Sequence, residues 1–153
     1  MDVDQAFLHG DVKDKIFMES PYDFLGGSRE EVWLLKKPLY GLKQAPREWY
    51  AKLKGVLLQM GFQPSISDPS LFLGQTEKGH WILVYVDDLL IMAPDMEALQ
   101  AIKDQLHQHF PLKDLGPVAM YLGMEVERDP AVRELTLHQA RFIADLEKRF
   151  SAY

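Results

Sequence analysis

The residues in this chain best suited to chemistry are acids set among apolar neighbours. In Trp81-Ile-Leu-Val-Tyr-Val-Asp87-Asp88-Leu-Leu-Ile-Met92, six apolar or aromatic residues precede two adjacent carboxylates and four apolar residues follow. A continuous apolar run predicts strands buried on both faces. Carboxylates in its middle are costly unless a turn exposes them or a cation neutralises them. One reading is a hairpin whose two-residue turn is Asp-Asp. Such turns prefer Asn-Gly or Asp-Gly, because positive φ is needed there, so Asp-Asp is a strained choice of the kind that gathers at functional sites. The other reading is a metal site. The chain has no cysteine, which removes disulfides and thiolate ligands. Carboxylates, carbonyls and histidines remain, and carboxylates favour hard ions such as magnesium or manganese.

Two further segments deserve the same weighing. Met1-Asp2-Val3-Asp4-Gln5-Ala6-Phe7-Leu8-His9-Gly10 again sets acids beside apolar residues, and by itself reads equally as a solvated N-terminal stretch. Leu39-Tyr40-Gly41-Leu42-Lys43-Gln44-Ala45-Pro46-Arg47-Glu48-Trp49-Tyr50 has a proline where a helix starts and a glycine that implies a close backbone approach or an unusual dihedral. From Lys36 to Lys54 six basic residues (Lys36, Lys37, Lys43, Arg47, Lys52, Lys54) stand against Glu48 alone. That stretch carries +5 and leaves −11 on the rest of a chain whose net charge is −6. The cluster is either a solvated helix face or a track for a phosphate backbone, although an acidic chain is not the usual nucleic-acid binder.

These groups need a scaffold, and the pattern predicts one. Glu31 to Leu35 reads as a short strand. Beyond Pro46, Trp49, Leu53, Val56, Leu57 and Met60 recur at helical spacing, with Gly61 at the C-cap. Leu71 to Gly74 and Trp81 to Val86 read as strands joined by a turn at Glu77-Lys78-Gly79, and Leu89 to Ala93 as a further strand. Met96, Leu99, Ile102, Leu106 and Phe110 mark a second helix started by Pro94 and Asp95. Met120 to Val126 pairs with Glu134 to Leu137 across Asp129-Pro130, and Phe142, Ile143, Leu146 and Phe150 mark a last helix. Ser20 to Ser28 is a loop by its Pro and Gly content. Hairpin-linked strands without regular βα alternation predict an α+β fold, an antiparallel sheet covered by helices. The 153 residues, 47% hydrophobic and 26% charged, suffice for one domain with a core. No apolar run reaches the roughly 20 residues of a membrane helix, so no membrane is expected, and the start does not read as a signal peptide. Absence of cysteine fits an intracellular protein.

In this order, the segments resemble the reverse transcriptases of copia-type (Ty1/copia, Pseudoviridae-like) LTR retrotransposons, over essentially the whole chain. Asp2-Val-Asp-Gln-Ala-Phe7-Leu-His-Gly-Asp11 is similar to the family's first catalytic motif. Tyr40-Gly-Leu-Lys-Gln-Ala-Pro-Arg47 is similar to the signature before its long palm helix, Tyr85-Val-Asp-Asp88 to its active-site turn, and Asp114-Leu-Gly-Pro followed by Tyr121-Leu-Gly-Met-Glu-Val126 to its primer grip. A bare Tyr-x-Asp-Asp occurs often by chance; four motifs at these spacings are specific.

The resemblance implies a palm core over residues 1–110, and a primer grip with the beginning of the thumb over 111–153. It implies RNA-directed DNA polymerisation as part of a Pol polyprotein. Asp2 and Asp87 would be the principal ligands of two magnesium ions (manganese as a substitute), with Asp88 supporting and the Val3 backbone included in the metal set. Two ions roughly 3.5–4 Å apart can clamp both oxygens of an in-line displacement. Phe7 would be the steric gate that excludes a ribose 2′-hydroxyl, a discrimination by repulsion. Backbone amides around Val3 and Asp4 would face the incoming triphosphate, and Tyr40 and Gly41 would line the nucleotide pocket. Leu122, Gly123 and Met124 would hold the primer terminus, and Lys43 and Arg47 become phosphate contacts. The implied partners are an RNA or DNA template-primer, a deoxynucleoside triphosphate and the fingers, connection and ribonuclease H regions of the polyprotein. The implied location is a cytoplasmic virus-like particle, or the nucleus. The chain begins one residue before Asp2, so the expectation is a fragment without fingers, its first strand prone to fray, inactive alone. Two rival readings stand beside this one: a relic or domesticated fragment that binds or assembles without catalysis, and a nucleotide cyclase, which would not explain the Tyr40–Arg47 and Tyr121–Val126 segments.

Overall fold

The computed structural model describes residues 1–21, 30–75 and 79–150. Most of the expected loop at Ser20–Ser28 and of the turn at Glu77-Lys78-Gly79 lies outside the described residues. The chain forms two compact units, Met1–Asp114 and Leu115–Tyr153. Among the described residues the fold is mixed α/β, with antiparallel sheets and three α-helices.

The first unit contains β1 (Asp2–Val3), β2 (Phe17–Glu19), β3 (Val32–Leu34), α1 (Ala45–Gln59), β4 (Phe62–Pro64), β5 (Leu71–Gly74), β6 (Trp81–Tyr85), β7 (Asp88–Met92), α2 (Met96–His109) and β8 (Leu112–Lys113), with a 3₁₀ turn at Ala6–His9. Six strands form one sheet in the order β4-β5-β6-β7-β1-β8, and β2 and β3 form a separate ribbon. The pairings run Phe72↔Ile82↔Ile91 and Val84↔Leu89, so residues opposite one another share a face. Phe72, Ile82, Val84 and Leu89 of the sheet join Trp49, Leu53, Val56 and Leu57 of α1 and Ile102 and Leu106 of α2 in one buried cluster. The helical spacing of those α1 and α2 residues turns one stripe of each helix to the sheet, where removal of apolar surface from water stabilises the fold. Gly61 takes φ +85 just past α1, the left-handed conformation that ends a helix. Asp95 caps α2 by accepting the Ala98 N–H at 2.8 Å, as its position in sequence predicts.

The expectation of strands buried on both faces is not met. Burial alternates along β6: Ile82 and Val84 are buried while Trp81 and Tyr85 are exposed, as are Leu73 and Met92. The helices cover one face, and the register puts Leu73, Trp81, Met92, Leu83, Leu90 and Tyr85 on the other. The apolar run thus marks a sheet with one exposed apolar face. The second unit contains β9 (Met120–Tyr121), β10 (Met124–Asp129), β11 (Glu134–His138) and α3 (Ala140–Phe150), with strand order β11-β10-β9. The predicted Met120–Val126 strand breaks at Leu122 (φ +49) and Gly123 (φ +78), because two successive positive-φ residues make a tight hairpin turn. Met124 opens the next strand.

Candidate active site

The turn between β6 and β7 differs from the Asp-Asp hairpin by one residue. Tyr85 pairs with Asp88, so the two central residues are Val86 and Asp87, and Asp88 is the first residue of β7. Val86 bears the positive φ, +55°. A β-branched residue is an outlier there, and such strain costs of order 1–3 kcal/mol. The conformation has a visible support: the Trp49 indole N–H donates to the Val86 carbonyl at 2.6 Å. Trp49 is 2% exposed and packs edge-on against Phe110, ring centroids 5.1 Å apart.

The strand carrying Asp2 is tied down. The Met1 ammonium donates to the Leu89 carbonyl at 2.8 Å, the Leu89 N–H donates to the Met1 carbonyl at 2.8 Å and the Val3 N–H to the Asp87 carbonyl at 2.9 Å. β8 pairs with the other edge of β1. The expected fraying is therefore replaced by an interior position in the sheet, between β7 and β8. Since Met1 and Leu89 exchange both backbone bonds, the intervening pair Asp2↔Asp88 is a non-hydrogen-bonded pair, the arrangement that brings side chains closest. Both acids lie on the face that carries Tyr85, opposite the buried cluster. Burial pushes the Asp88 carboxyl above its ordinary value, with the negative charges of Asp87 and Asp2 adding to the effect. Each of these causes disfavours the ionised form.

This crowding bears on whether a divalent ion would fit. Hard carboxylate oxygens from β1 and from the β6–β7 turn and strand are the donor chemistry such an ion requires, and mutual repulsion among them is what a cation would relieve. Among the described residues, however, no three histidine or acid side chains converge as a ready-made ligand cluster. The residues fit the group in chemistry and in backbone position.

Other expected residues fall as follows. Phe7 and Tyr40 stack obliquely, ring centroids 4.5 Å apart, although 33 positions separate them in sequence. Gly41, beside them, takes φ +94 with no atom within 4 Å of where a Cβ would sit, so its role is the dihedral and not a close approach. The expectation for the Val3 and Asp4 amides needs correction: they already donate to the Asp87 and Pro111 carbonyls at 2.9 and 3.0 Å, which leaves neither to face a triphosphate. Lys43 is exposed. Arg47 is turned to its neighbour, with Nε and Nη2 donating to Glu48 Oε1 at 3.2 and 3.0 Å. Leu122 and Gly123 form the β9–β10 turn of the second unit and Met124 begins β10.

Three participants were not singled out from the sequence. Trp49 was expected only as a core residue, and nothing local announces its distant acceptor. Glu48, the lone acid of the basic stretch, is 5% exposed and is also bound by Lys13 at 2.8 Å; hydrogen bonds from Lys13 and Arg47 hold its carboxyl below the usual range. Gly10 is the close approach: a Cβ there would stand 3.2 Å from both Pro38 Cγ and the Trp49 amide nitrogen. An open cleft of about 450 Å³ beside α1 and α2, lined by Asp11, Lys13, Glu48, Lys52 and His109 among others, includes none of Asp2, Asp87 and Asp88.

Residues 1–152 match a family model described as reverse transcriptase (RNA-dependent DNA polymerase). Among curated relatives, the chain is 39% identical to a retrovirus-related Pol polyprotein from transposon TNT 1-94 of Nicotiana tabacum, over 99% of this chain and 12% of the relative. It is 44% identical to the Pol polyprotein from transposon RE1 of Arabidopsis thaliana, over 97% of this chain and 10% of the relative. It is 34% identical to a putative transposon Ty5-1 protein of Saccharomyces cerevisiae, over 94% of this chain and 47% of the relative. The chain thus spans about a tenth of the plant polyproteins and about half of the yeast protein. No solved structure matches it.

Proposed function

This chain belongs to the reverse transcriptase family, and from that premise we propose that it is the palm of an RNA-directed DNA polymerase within a copia-type retrotransposon polyprotein, joining deoxynucleotides to a primer 3′-hydroxyl. The observation that supports this reading is the direct cross-strand pair Asp2↔Asp88, next to Asp87, on the sheet face that the helices leave exposed. Acids there can meet a substrate lying across the sheet.

Asp2 and Asp87 would hold the divalent ions, with Asp88 beside them and the Val3 carbonyl as a further oxygen donor. When bound, two magnesium or manganese ions supply the positive charge that activates the primer hydroxyl and offsets the charge of the leaving pyrophosphate. The chain's own residues then position the reactants, which supplies much of the rate in such transfers. Phe7, with Tyr40 against it and Gly41 shaping the adjoining turn, walls the sugar site and excludes a 2′-hydroxyl. Lys43 contacts template or primer phosphate. Arg47 shares that role with its hold on Glu48. In the second unit Leu122, Gly123 and Met124 form the primer grip, and α3 begins the thumb. Template-primer, deoxynucleoside triphosphates and the other regions of the polyprotein are the partners, within a virus-like particle.

Extension of a DNA primer on an RNA template, with magnesium or manganese and an Asp87→Asn control, tests the reading. The 153-residue chain alone is expected to extend poorly, because its charge of −6 weakens the cationic contacts on which template affinity depends. Extension by a chimera in which this chain replaces the matching segment of a relative's reverse transcriptase, lost again in the control, supports polymerisation. The second reading, a non-catalytic binding module, gains if that chimera binds template-primer equally with and without Asp87 and never extends it.

A further inference from the structure

We propose that Trp49 is a positioning residue for the acidic turn, acting through one hydrogen bond to the Val86 carbonyl. The inference rests on the reading above for its catalytic meaning, but its structural part stands on separate observations. Val86 is the β-branched residue at φ +55, a conformation that a Val-Asp turn would not choose by itself. Strained residues persist where the surroundings over-determine them. Here the indole N–H, arriving from 37 residues away in sequence, meets the Val86 carbonyl at 2.6 Å. The donor cannot drift to another acceptor. Its ring is 2% exposed, fixed edge-on by Phe110 at 5.1 Å and flanked by His9 at 6.0 Å.

The same point of α1 also meets the segment that carries Asp2. Gly10 approaches so closely that a Cβ would lie 3.2 Å from the Trp49 backbone nitrogen and 3.3 Å from the Glu48 carbonyl carbon. Between Asp2 and Gly10 the chain is a strand, a turn and a short 3₁₀ helix, which leave little slack. One turn of α1 therefore touches both acid-bearing segments, the first by backbone contact and the second by the indole. Loss of the indole donor would free Val86 to relax toward negative φ. Asp87, the next residue, would rotate with it, and its position relative to Asp2 would no longer be set.

The test uses the whole 153-residue chain with two changes at the same site. Trp49→Phe removes the donor and part of the ring. Incorporation of 3-benzothienylalanine at position 49 keeps the bicyclic shape and replaces only the N–H by sulfur. Leu57→Ala, a buried change in the same helix, is the control for simple destabilisation. The first readout is the metal-free ¹H–¹⁵N spectrum. In the unmodified chain the Trp49 indole proton should exchange with solvent at least tenfold more slowly than those of Trp33 and Trp81, both of which are exposed. Both Trp49 changes should shift or broaden the Val86 and Asp87 cross-peaks, whereas Leu57→Ala should lower the melting temperature and leave those peaks in place. The second readout is manganese affinity, which should fall about tenfold with either Trp49 change. Turn peaks unmoved by the benzothienyl replacement, or moved as much by Leu57→Ala, would overturn the proposal. Absence of saturable manganese binding in the unmodified chain, with the turn peaks still moved by both Trp49 changes, would sink the metal reading of the acids and leave Trp49 as the support of the turn.

Discussion

Replacing Asp88 by Asn should make the metal-free protein more stable, an unusual result for a residue at the centre of a sheet. Asp2 and Asp88 are a non-hydrogen-bonded cross-strand pair, for which Cβ atoms stand about 4.5–5.5 Å apart. Two unit charges about 5 Å apart repel by about 1–3 kcal/mol for effective dielectric constants between roughly 80 and 20. Both acids are half-buried, so solvent screening favours the lower end, about 1 kcal/mol. For a unit of this size that is a rise in melting temperature of about 4 °C. The pH dependence has a definite sign. The folded-state pKa of Asp88 lies above its reference value of 3.8, so the folded protein binds the proton more tightly than the unfolded chain. The penalty is absent below the unfolded value, grows as pH rises through the interval between the two values and is fully present above the folded one. Thermal melts in chelator should therefore separate Asp88→Asn from the parent most at pH 7–8 and bring the curves together near pH 4. Saturating magnesium should reverse the order, since a ligand at 100 times its Kd adds about 2.7 kcal/mol to whichever protein binds it. An Asp88→Asn protein that melts below the parent in chelator at pH 7 would refute the reasoning, because the carboxylate would then be making a structural bond.

Three further outcomes follow from single positions. Phe7→Ala, in the chimera with a relative's reverse transcriptase, should admit ribonucleotides: incorporation ratios for ribo- against deoxynucleoside triphosphates should rise at least tenfold, and an unchanged ratio would remove Phe7 from the gate. Lys43→Ala should weaken template-primer binding uniformly across sequences and reduce the salt slope by about 1, as read by fluorescence anisotropy from low to moderate salt; an unaltered slope would assign that lysine to a solvated face. Gly41→Ala should cost about 1 kcal/mol in chemical denaturation, since φ +94 strains any side chain although the space around it is open, and a neutral result would mean that the Tyr40–Gly41 turn relaxes freely.

Much of the fold could be read from patterns that depend only on neighbours in sequence. α1 and α2 declare themselves by apolar spacing, and their ends by Gly61, which accepts positive φ, and by Asp95, which caps a free amide. The elements that escaped are short and owe their form to distant partners. Phe17–Glu19 pairs only because Val32–Leu34 lies beside it, and Leu112–Lys113 only because Asp2–Val3 does. Such two- and three-residue strands have too few side chains for period-two alternation to register. The Leu122-Gly123 turn was hidden inside an apolar stretch because leucine is a poor advertisement for positive φ.

The same blindness shifted the central turn by one residue, and the shift carries the mechanism. The sequence placed the strain at Asp87-Asp88, by the rule that the residues of a two-residue hairpin turn take positive φ. That rule is sound for an isolated hairpin. It fails here because Val86 has a hydrogen-bond donor waiting in another element, and no window around residues 81–92 contains Trp49. Moving the turn back by one residue has a consequence for chemistry: Asp88 becomes a strand residue with a fixed cross-strand partner, while Asp87 stays in the turn. If both acids occupied the turn, neither would have a defined distance to Asp2. With Asp88 in register and Asp87 held through the Val86 carbonyl, each acid is located by a different device, one by sheet pairing and one by the indole. The two devices can be broken separately, so a Trp49 change should disturb Asp87 while leaving the Asp2↔Asp88 repulsion, and with it the stabilisation by Asp88→Asn, intact.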